Sequence, residues 1–341
     1  MFAILEQSDI QEIHFRRDAD SGLHAIIAIH STKMGPALGG CRFLTYDDDN
    51  KAIHDAIRLA RGMSYKAVLA GVKQGGGKSV IIKPANYDPE KLFTRFGQFV
   101  ESLNGRYITA IDSGTSAFEM DIIANQTRHV TSTSREKNPS QFTAQGVFEG
   151  IQAAVYHQLH TEHLEGIRVA LQGLGNVGFA LANLLHEAGA NLIVSDINPT
   201  RVKQACESFQ AEQVQANAIY DVECDVFAPC GLGGIINPET LSRLQCSIVA
   251  GSANNQLATA QEGRELHQAG ILYAPDYVIN AGGLIYASMH HASEPDEHIH
   301  TKTAEISQTL SEIFEHSKTQ NKATSEIADE LAEAKLSAIS A

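Results

Sequence analysis

The segment from Arg168 to Asp196 constrains this chain more than any other. Arg168-Val-Ala-Leu-Gln is a short apolar run, Gly173-Leu-Gly175-Asn-Val-Gly178 follows it, and an apolar pattern at helical spacing leads to Asn191-Leu-Ile-Val-Ser-Asp196. The order is strand, GxGxxG turn, helix, and a second strand closed by an acid, which is a parallel βαβ unit. Gly173 permits the tight turn, Gly175 lets a pyrophosphate approach the backbone, and Gly178 lets helix and strand pack closely. The phosphates are expected at the helix N-terminus, where unpaired N–H groups and the helix dipole favour an anion. Asp196 lies eighteen residues beyond Gly178. A carboxylate there binds ribose hydroxyls and repels a 2′-phosphate, so NAD is expected rather than NADP. The glycines alone fit a plain parallel-sheet turn. Strand, helix and acid in the right order argue for the dinucleotide.

The chain has 341 residues, enough for two domains. Strands are expected at 167–172, 191–196, 225–229, 247–251 and 271–274, separated by helical patterns. That spacing predicts a doubly wound Rossmann domain over 136–324, entered through a polar linker at 131–142 and a helix from about 143 to 160. Residues 1–135 also alternate strands and helices, which predicts an α/β domain. Its expected parts begin with a hairpin over 12–30, turned at Asp20-Ser21-Gly22, and a glycine-rich loop from Met34 to Gly40. A helix then starts at Asp48-Asp49-Asn50 and runs towards Met63 and Lys66. A strand at Ser79–Ile82, a helix from Asp88-Pro89 lined by Leu92, Phe96, Phe99 and Leu103, and a strand at 107–112 complete it. The C-terminal helix, 325–341, is expected to return to this first domain.

A formal net charge of −14 argues against a nucleic-acid partner. No apolar run approaches the ~18 residues of a membrane span, and the N-terminus carries no signal-peptide pattern. Five cysteines without a CxxC suit reduced thiols, so a cytoplasmic location is expected. His157, His160 and His163 recur every three residues, but no carboxylate or cysteine pattern supports them as ligands, and no metal is expected.

Chemistry is suggested by Gly75-Gly-Gly77-Lys78, with Lys66 twelve residues earlier. Three glycines clear side chains from beside an amine and let backbone approach a ligand; they also fit a tight turn. A desolvated lysine has a lowered pKa and acts as a base near neutral pH. Lys66, Lys78 and Asp112 are expected at element ends of the first domain, where ligands collect. Two amines and one carboxylate suit an α-amino acid. One amine binds its carboxylate, the other is the base, and Asp112 exchanges protons with the ammonium. Asp112 fits equally well as an N-cap over Ser113-Gly114-Thr115.

With these residues in hand, the chain resembles the Glu/Leu/Phe/Val dehydrogenase family, and within it the leucine dehydrogenase branch. In the first domain the resemblance is carried by Leu38-Gly-Gly40, Arg61-Gly-Met-Ser-Tyr-Lys66, Gly75-Gly-Gly-Lys78, Asn104-Gly-Arg-Tyr-Ile-Thr109 and Asp112-Ser-Gly-Thr115. In the second it is carried by Gly173–Gly178, Phe227-Ala-Pro-Cys230, Ala250–Leu257 and Tyr273–Gly283. The resemblance implies NAD-dependent oxidative deamination of an apolar L-amino acid. Lys66, helped by Gly39 and Gly40, would hold the substrate carboxylate, Lys78 would be the general base, and Asp112 would serve the amino group. Leu38, Met63, Ala110, Leu284 and Ala287 would face the substrate side chain, and Asn255 would lie near nicotinamide and substrate. Asn176, Val177, Ala228, Pro229 and Cys230 would join Gly173, Gly175, Gly178 and Asp196 around the cofactor. The chain departs from the family at Ile111, where an acidic or polar residue is common, at Pro84, and in a shorter C-terminus.

Leucine is the expected substrate, with valine and isoleucine beside it. Phenylalanine is the alternative because Ala110 and Ala287 are small, and glutamate is disfavoured by an apolar side-chain pocket. A non-catalytic NAD or amino-acid sensor is the remote alternative, opposed by the presence of all three polar residues. The apolar strand at 22–30, with only 12–16 as an obvious partner, predicts a homo-oligomer that covers this edge.

Overall fold

The structure, a computed structural model, describes residues 8–339. It divides into two compact units. The first comprises Met1–Asn138, Ala287–Glu294 and Ala332–Ala341, and the second Pro139–Tyr286 and Pro295–Leu331. Among the described residues no helix is long and apolar enough to cross a membrane.

The first unit is built on strands β1 (Glu12–Asp18), β2 (Leu23–Ser31), β3 (Ala37–Leu44), β4 (Gly75–Ile82) and β5 (Tyr107–Ile111), in the sheet order β1-β2-β4-β3-β5. Helices α1 (Asp49–Ala70), α2 (Pro89–Glu101) and α3 (Ala117–Ala124) cover its faces. The β1–β2 hairpin forms as expected. The Asp18 carboxylate accepts from Ser21 N at 2.9 Å and Ser21 Oγ at 2.6 Å, which fixes the turn. The expectation that β2 is an edge is wrong, because β2 pairs with β1 on one side and antiparallel with β4 on the other. The edge is β1, where Phe15 is 46% exposed. The expected loop at Met34–Gly40 is also wrong in its second half, since Ala37–Leu44 is a strand parallel to both β4 and β5.

The triple glycine lies inside β4 and is neither a turn nor an open loop. A Cβ on Gly76 falls 2.1 Å from Ser64 N of α1, and one on Gly77 falls 2.9 Å from the Tyr107 ring. The glycines therefore serve close packing on both faces of the sheet. They let α1 lie directly on β4 and Tyr107 on the opposite side.

Alternation along each strand sorts the core into two layers. Ala37, Cys41, Phe43, Ile81 and Tyr107 join Leu92, Phe93 and Phe96 of α2 and Met120 of α3 in one buried cluster. Ile26, Ala28 and Val80 join Ala52, Ala56, Ile57 and Ala60 of α1 in the other. Helix α1 starts at Asp48, whose side chain accepts from Lys51 N, and stops at Gly71 in the left-handed region at φ 64°. Ser116 and Glu119 form the capping box of α3, so the N-cap is Ser116 and not Asp112.

The second unit opens with α4 (Ser140–Leu159), which starts just after Pro139 rather than at 143. Strands β6 (Arg168–Gln172), β7 (Asn191–Ser195), β8 (Glu212–Gln213), β9 (Val226–Pro229), β10 (Ile248–Val249) and β11 (Leu272–Tyr273) form a parallel sheet in the order β11-β10-β9-β6-β7-β8. Counted from β6, this is the 3-2-1-4-5-6 order of a dinucleotide-binding sheet. Helices α5 (Asn176–Glu187), α6 (Pro199–Phe209), α7 (Pro238–Leu241), α8 (Ala260–Gln268) and α9 (Asp276–Ile279) intervene. The chain ends in α10 (Gly282–His291), α11 (Asp296–Ala304), α12 (Ile306–Gln320) and α13 (Thr324–Ala338). Helix α4 packs on α5, α11 and α12, and at Gly150 it meets Ile279 and Leu310.

Candidate active site

In the first unit, pleat parity collects polar residues on the α1 face of the sheet. Leu38, Gly40 and Arg42 of β3, Gly76 and Lys78 of β4, and Ala110 at the end of β5 share this face, with Asp112 next in phase. Lys78 Nζ lies 2.7 Å from Asp112 Oδ2, and the lysine side chain is only 7% exposed. The same Oδ2 accepts from Arg42 Nε at 3.2 Å. Arg42 Nη1 donates to Asp55 Oδ2 of α1 at 2.7 Å, and that oxygen also accepts from Tyr46 Oη at 2.8 Å.

Gly40 makes room for Asp112, and Gly39 lets β3 pass the backbone of β4. A Cβ on Gly40 falls 2.7 Å from Asp112 Cβ, and one on Gly39 falls 1.7 Å from Gly77 O. Behind Asp112, Thr115 Oγ1 accepts from the Asp112 N–H at 3.0 Å and donates to Cys41 O at 2.9 Å, which anchors the strand end. Burial pushes the Lys78 amine below the ordinary lysine value, and Arg42 pushes the same way, against the opposing pull of Asp112. Burial alone would raise the Asp112 carboxyl, but Lys78 and Arg42 outweigh it and hold Asp112 below the ordinary carboxylate value.

The other predicted residues of this unit fall nearby in the fold. Lys66 and Met63 are half-buried on α1, beside Ser64, which abuts Gly76 and pairs with His30 Nδ1 at 2.8 Å. Lys66 lies within a helix and Lys78 within a strand, so only Asp112 follows an element end. Leu38 and Ala110 are buried. Leu284 and Ala287 are both buried on α10, the first in the second unit and the second in the first.

In the second unit each motif glycine has a distinct cause. Gly173 has φ 96°, which disfavours a side chain. A Cβ on Gly178 falls 2.0 Å from Gly173 O, whereas one on Gly175 meets nothing within 4 Å. Gly175 is the N-cap of α5, so Asn176, Val177 and Gly178 begin the helix with N–H groups unpaired within it. Asp196 follows β7, and its carboxylate accepts from Leu174 N at 2.5 Å and Asn198 N at 2.7 Å. It is thereby tied to the glycine turn itself. Ala228 and Pro229 end β9, and Cys230 N donates to Gln172 O of β6 at 2.7 Å. Asn255 is exposed, with φ 51° and a carbonyl that accepts from Gly234 N at 2.7 Å.

Three residues escaped the sequence reading. Arg42 and Asp55 complete the network around Asp112. Their signal was parity, since Arg42 is in phase with Gly40 and Lys78 on neighbouring strands. Asn280, buried, donates through Nδ2 to Ser252 O at 3.1 Å and Asn254 Oδ1 at 2.8 Å. Its Oδ1 meets no hydrogen-bond donor among the described residues. Among the described residues no group of three His, Cys, Asp or Glu side chains could hold a metal ion.

Comparison with known proteins places the chain in a family. Residues 8–129 match the Glu/Leu/Phe/Val dehydrogenase, dimerisation domain. Residues 137–200 and 197–340 match the Glutamate/Leucine/Phenylalanine/Valine dehydrogenase family. Leucine dehydrogenase of Geobacillus stearothermophilus is 47% identical over 341 residues, covering 98% of this chain and 93% of that one. Phenylalanine dehydrogenase of Bacillus thermotolerans is 41% identical over 99% of this chain and 91% of its own. The crystal structure of L-tryptophan dehydrogenase from Nostoc punctiforme superposes with a TM-score of 0.90 at 41% identity, covering 99% of this chain and 98% of that one. With both sheets matched nearly end to end by such relatives, the chain belongs to the Glu/Leu/Phe/Val dehydrogenase family of amino acid dehydrogenases.

Proposed function

We propose that this protein deaminates apolar L-amino acids oxidatively and reversibly with NAD, giving the 2-oxo acid and ammonia, with leucine preferred and valine and isoleucine accepted. The observation that carries the reading is the buried Lys78–Asp112 pair, 2.7 Å apart beside Gly40. The 47% identity to a leucine dehydrogenase supports the choice of substrate.

Lys66 is assigned to the substrate carboxylate, with the backbone at Gly39 and Gly40. Leu38, Met63, Ala110, Leu284 and Ala287 are assigned to the substrate side chain. All five are apolar, which disfavours a second carboxylate there. Gly175, Asn176, Val177 and Gly178 are assigned to the pyrophosphate, in keeping with the open space over Gly175. Asp196 is assigned to the ribose hydroxyls. Ala228, Pro229, Cys230 and Asn255 are assigned to the nicotinamide end, where the unsatisfied Asn280 Oδ1 supports an amide-bearing ligand. When bound, NAD supplies the acceptor for the hydride that leaves the substrate α-carbon.

The chain's own residues do the proton chemistry. Lys78, in its neutral form, takes a proton from the water that adds to the iminium carbon of the substrate. Asp112 moves the proton of the amino group as the carbinolamine collapses to oxo acid and ammonia. Each transfer is worth ~10²–10⁴-fold in rate. A second reading, aromatic amino acids, is favoured by the small Ala110 and Ala287 and by relatives named for tryptophan and phenylalanine. NADH formation with leucine, valine, isoleucine, phenylalanine, tryptophan and glutamate decides between them. The highest kcat/KM on leucine is expected, and a higher value on either aromatic acid replaces the first reading by the second.

A further inference from the structure

We propose that Arg42, held by Asp55, is a positioning residue that fixes the Asp112 carboxylate against the Lys78 amine. The proposal rests on the roles assigned above to Lys78 and Asp112. A lone carboxylate beside a lone amine has freedom to rotate and to exchange one oxygen for the other. Here Asp112 Oδ2 receives both Lys78 Nζ at 2.7 Å and Arg42 Nε at 3.2 Å.

The guanidinium is itself pinned at two points. Nε meets Asp112 and Nη1 meets Asp55 at 2.7 Å, with both Arg42 and Asp55 side chains 17% exposed. Asp55 is fixed in turn by Tyr46 Oη at 2.8 Å and Arg58 Nη2 at 3.0 Å. A planar fork makes two divergent bonds from two nitrogens held apart in one rigid group, whereas an ammonium donates from a single nitrogen on a flexible stem. The path therefore runs from α1 through Arg42 of β3 to the oxygen that touches Lys78 of β4, across three elements.

Electrostatics gives the arrangement a signature that ordinary structural support lacks. Besides each other, the charged groups acting on Lys78 and Asp112 are Arg42 of β3 and Asp55 of α1, while Cys41 of β3 and Tyr107 of β5 face Asp112 and Glu119 of α3 acts on Cys41. Arg42 disfavours a second cation at Lys78, whereas Asp55 favours one. Loss of Arg42 and loss of Asp55 therefore displace the Lys78 titration in opposite directions. Two substitutions that merely loosened the fold would share a direction.

The test uses the full chain with Arg42→Gln, Arg42→Lys, Asp55→Asn and Lys78→Ala. NADH formation is followed from neutral to alkaline pH with the best amino acid of the panel, alongside thermal unfolding of each variant. Arg42→Gln is expected to lower kcat by ~10²-fold, as misplacement of a reacting group by about 1 Å does, with little change in either KM. The alkaline limb should move to higher pH in Arg42→Gln and to lower pH in Asp55→Asn. Arg42→Lys should restore the limb but not the turnover. The proposal is overturned if Arg42→Gln keeps kcat within about twofold of the unaltered chain while Lys78→Ala is inactive, or if both limbs move the same way. If Arg42→Gln does not fold, full turnover by Arg42→Lys overturns it. Full turnover by Lys78→Ala overturns instead the assignment of Lys78 as base, a separate result.

Discussion

Gly76 and Gly175 sit in glycine-rich motifs of the two units, and the same Gly→Ala change should have opposite consequences at each. At Gly76 the added methyl lies 2.1 Å from Ser64 N and 2.3 Å from Ser64 Oγ, where ordinary contact begins at 3.4 Å. The obstacle includes helix backbone, so α1 and β4 must separate by about 1.3 Å at this point. Overpacking of this kind costs about 1–3 kcal/mol. For a unit of this size that lowers Tm by roughly 2–12 °C. Helix α1 carries Lys66 and Met63 next to Ser64, so turnover should fall by ~10²-fold as well. At Gly175 the methyl meets nothing within 4 Å, and φ −67° with ψ −169° suits alanine. Gly175→Ala should leave Tm unchanged, or raise it slightly by ~0.4–1 kcal/mol of lost chain freedom in the unfolded state. Its KM for NAD should rise, because the methyl fills the space the pyrophosphate needs. Circular-dichroism melts and steady-state kinetics with each substrate varied give both readouts. A Gly76→Ala protein with unaltered Tm and turnover would refute the packing account of the triple glycine. An unaltered KM for NAD in Gly175→Ala would refute the phosphate account of the turn.

Three further outcomes are expected. Asp196→Ser combined with Ile197→Arg should turn preference from NAD towards NADP, read as the ratio of kcat/KM values; equal use of both by the unaltered chain would contradict the role given to Asp196. Deamination should rise with pH along a limb whose midpoint lies below 10.5, since burial lowers the Lys78 pKa and the neutral amine is the active form. In the window between that lowered value and 10.5 the unfolded chain binds more protons, so this group makes stability rise with pH; a limb centred at or above 10.5 would refute the desolvated base. Phe15→Glu, on the exposed edge strand β1, should reduce the sedimenting mass below that of the parent protein, and a 36.8 kDa monomer for the unaltered chain would remove the proposed homo-oligomer.

The parts of the fold that were legible in the sequence carry local signals. The βαβ unit around Gly173–Asp196 was readable because period, turn chemistry and the closing acid agree over the 29 residues from Arg168 to Asp196. The caps at Asp48 and Asp88 were readable for the same reason. Strand β3 was read as a loop because Gly35, Pro36, Gly39 and Gly40 are turn residues by local preference. Their real cause is non-local: Gly39 must pass Gly77 O and Gly40 must admit Asp112, contacts that sequence proximity does not reveal. Strand β8 escaped because it has only two residues, Glu212 and Gln213, both exposed, and so carries no apolar pattern. The placement of β2 beside β4 escaped because pairing of Ser31 with Gly76, across forty-four intervening residues, leaves no mark within either strand. In the candidate site the titratable pair was found from residue type and motif. Arg42 and Asp55 were missed because an arginine in a strand and an aspartate in a helix look like solvated surface until the sheet order is known.

The two units are not successive stretches of chain. The chain passes between them at Asn138–Pro139, Tyr286–Ala287, Glu294–Pro295 and Leu331–Ala332. The second unit is consequently no cassette that one crossover could transplant. Exchange of residues 139–331 as a block would carry residues 287–294 of the first unit into the wrong host. A chimera that keeps both units whole needs four junctions, and two of them fall within α10 and α13. Recombination of this chain's gene is thereby constrained, since no single crossover keeps both units whole, whereas a point substitution leaves the division untouched.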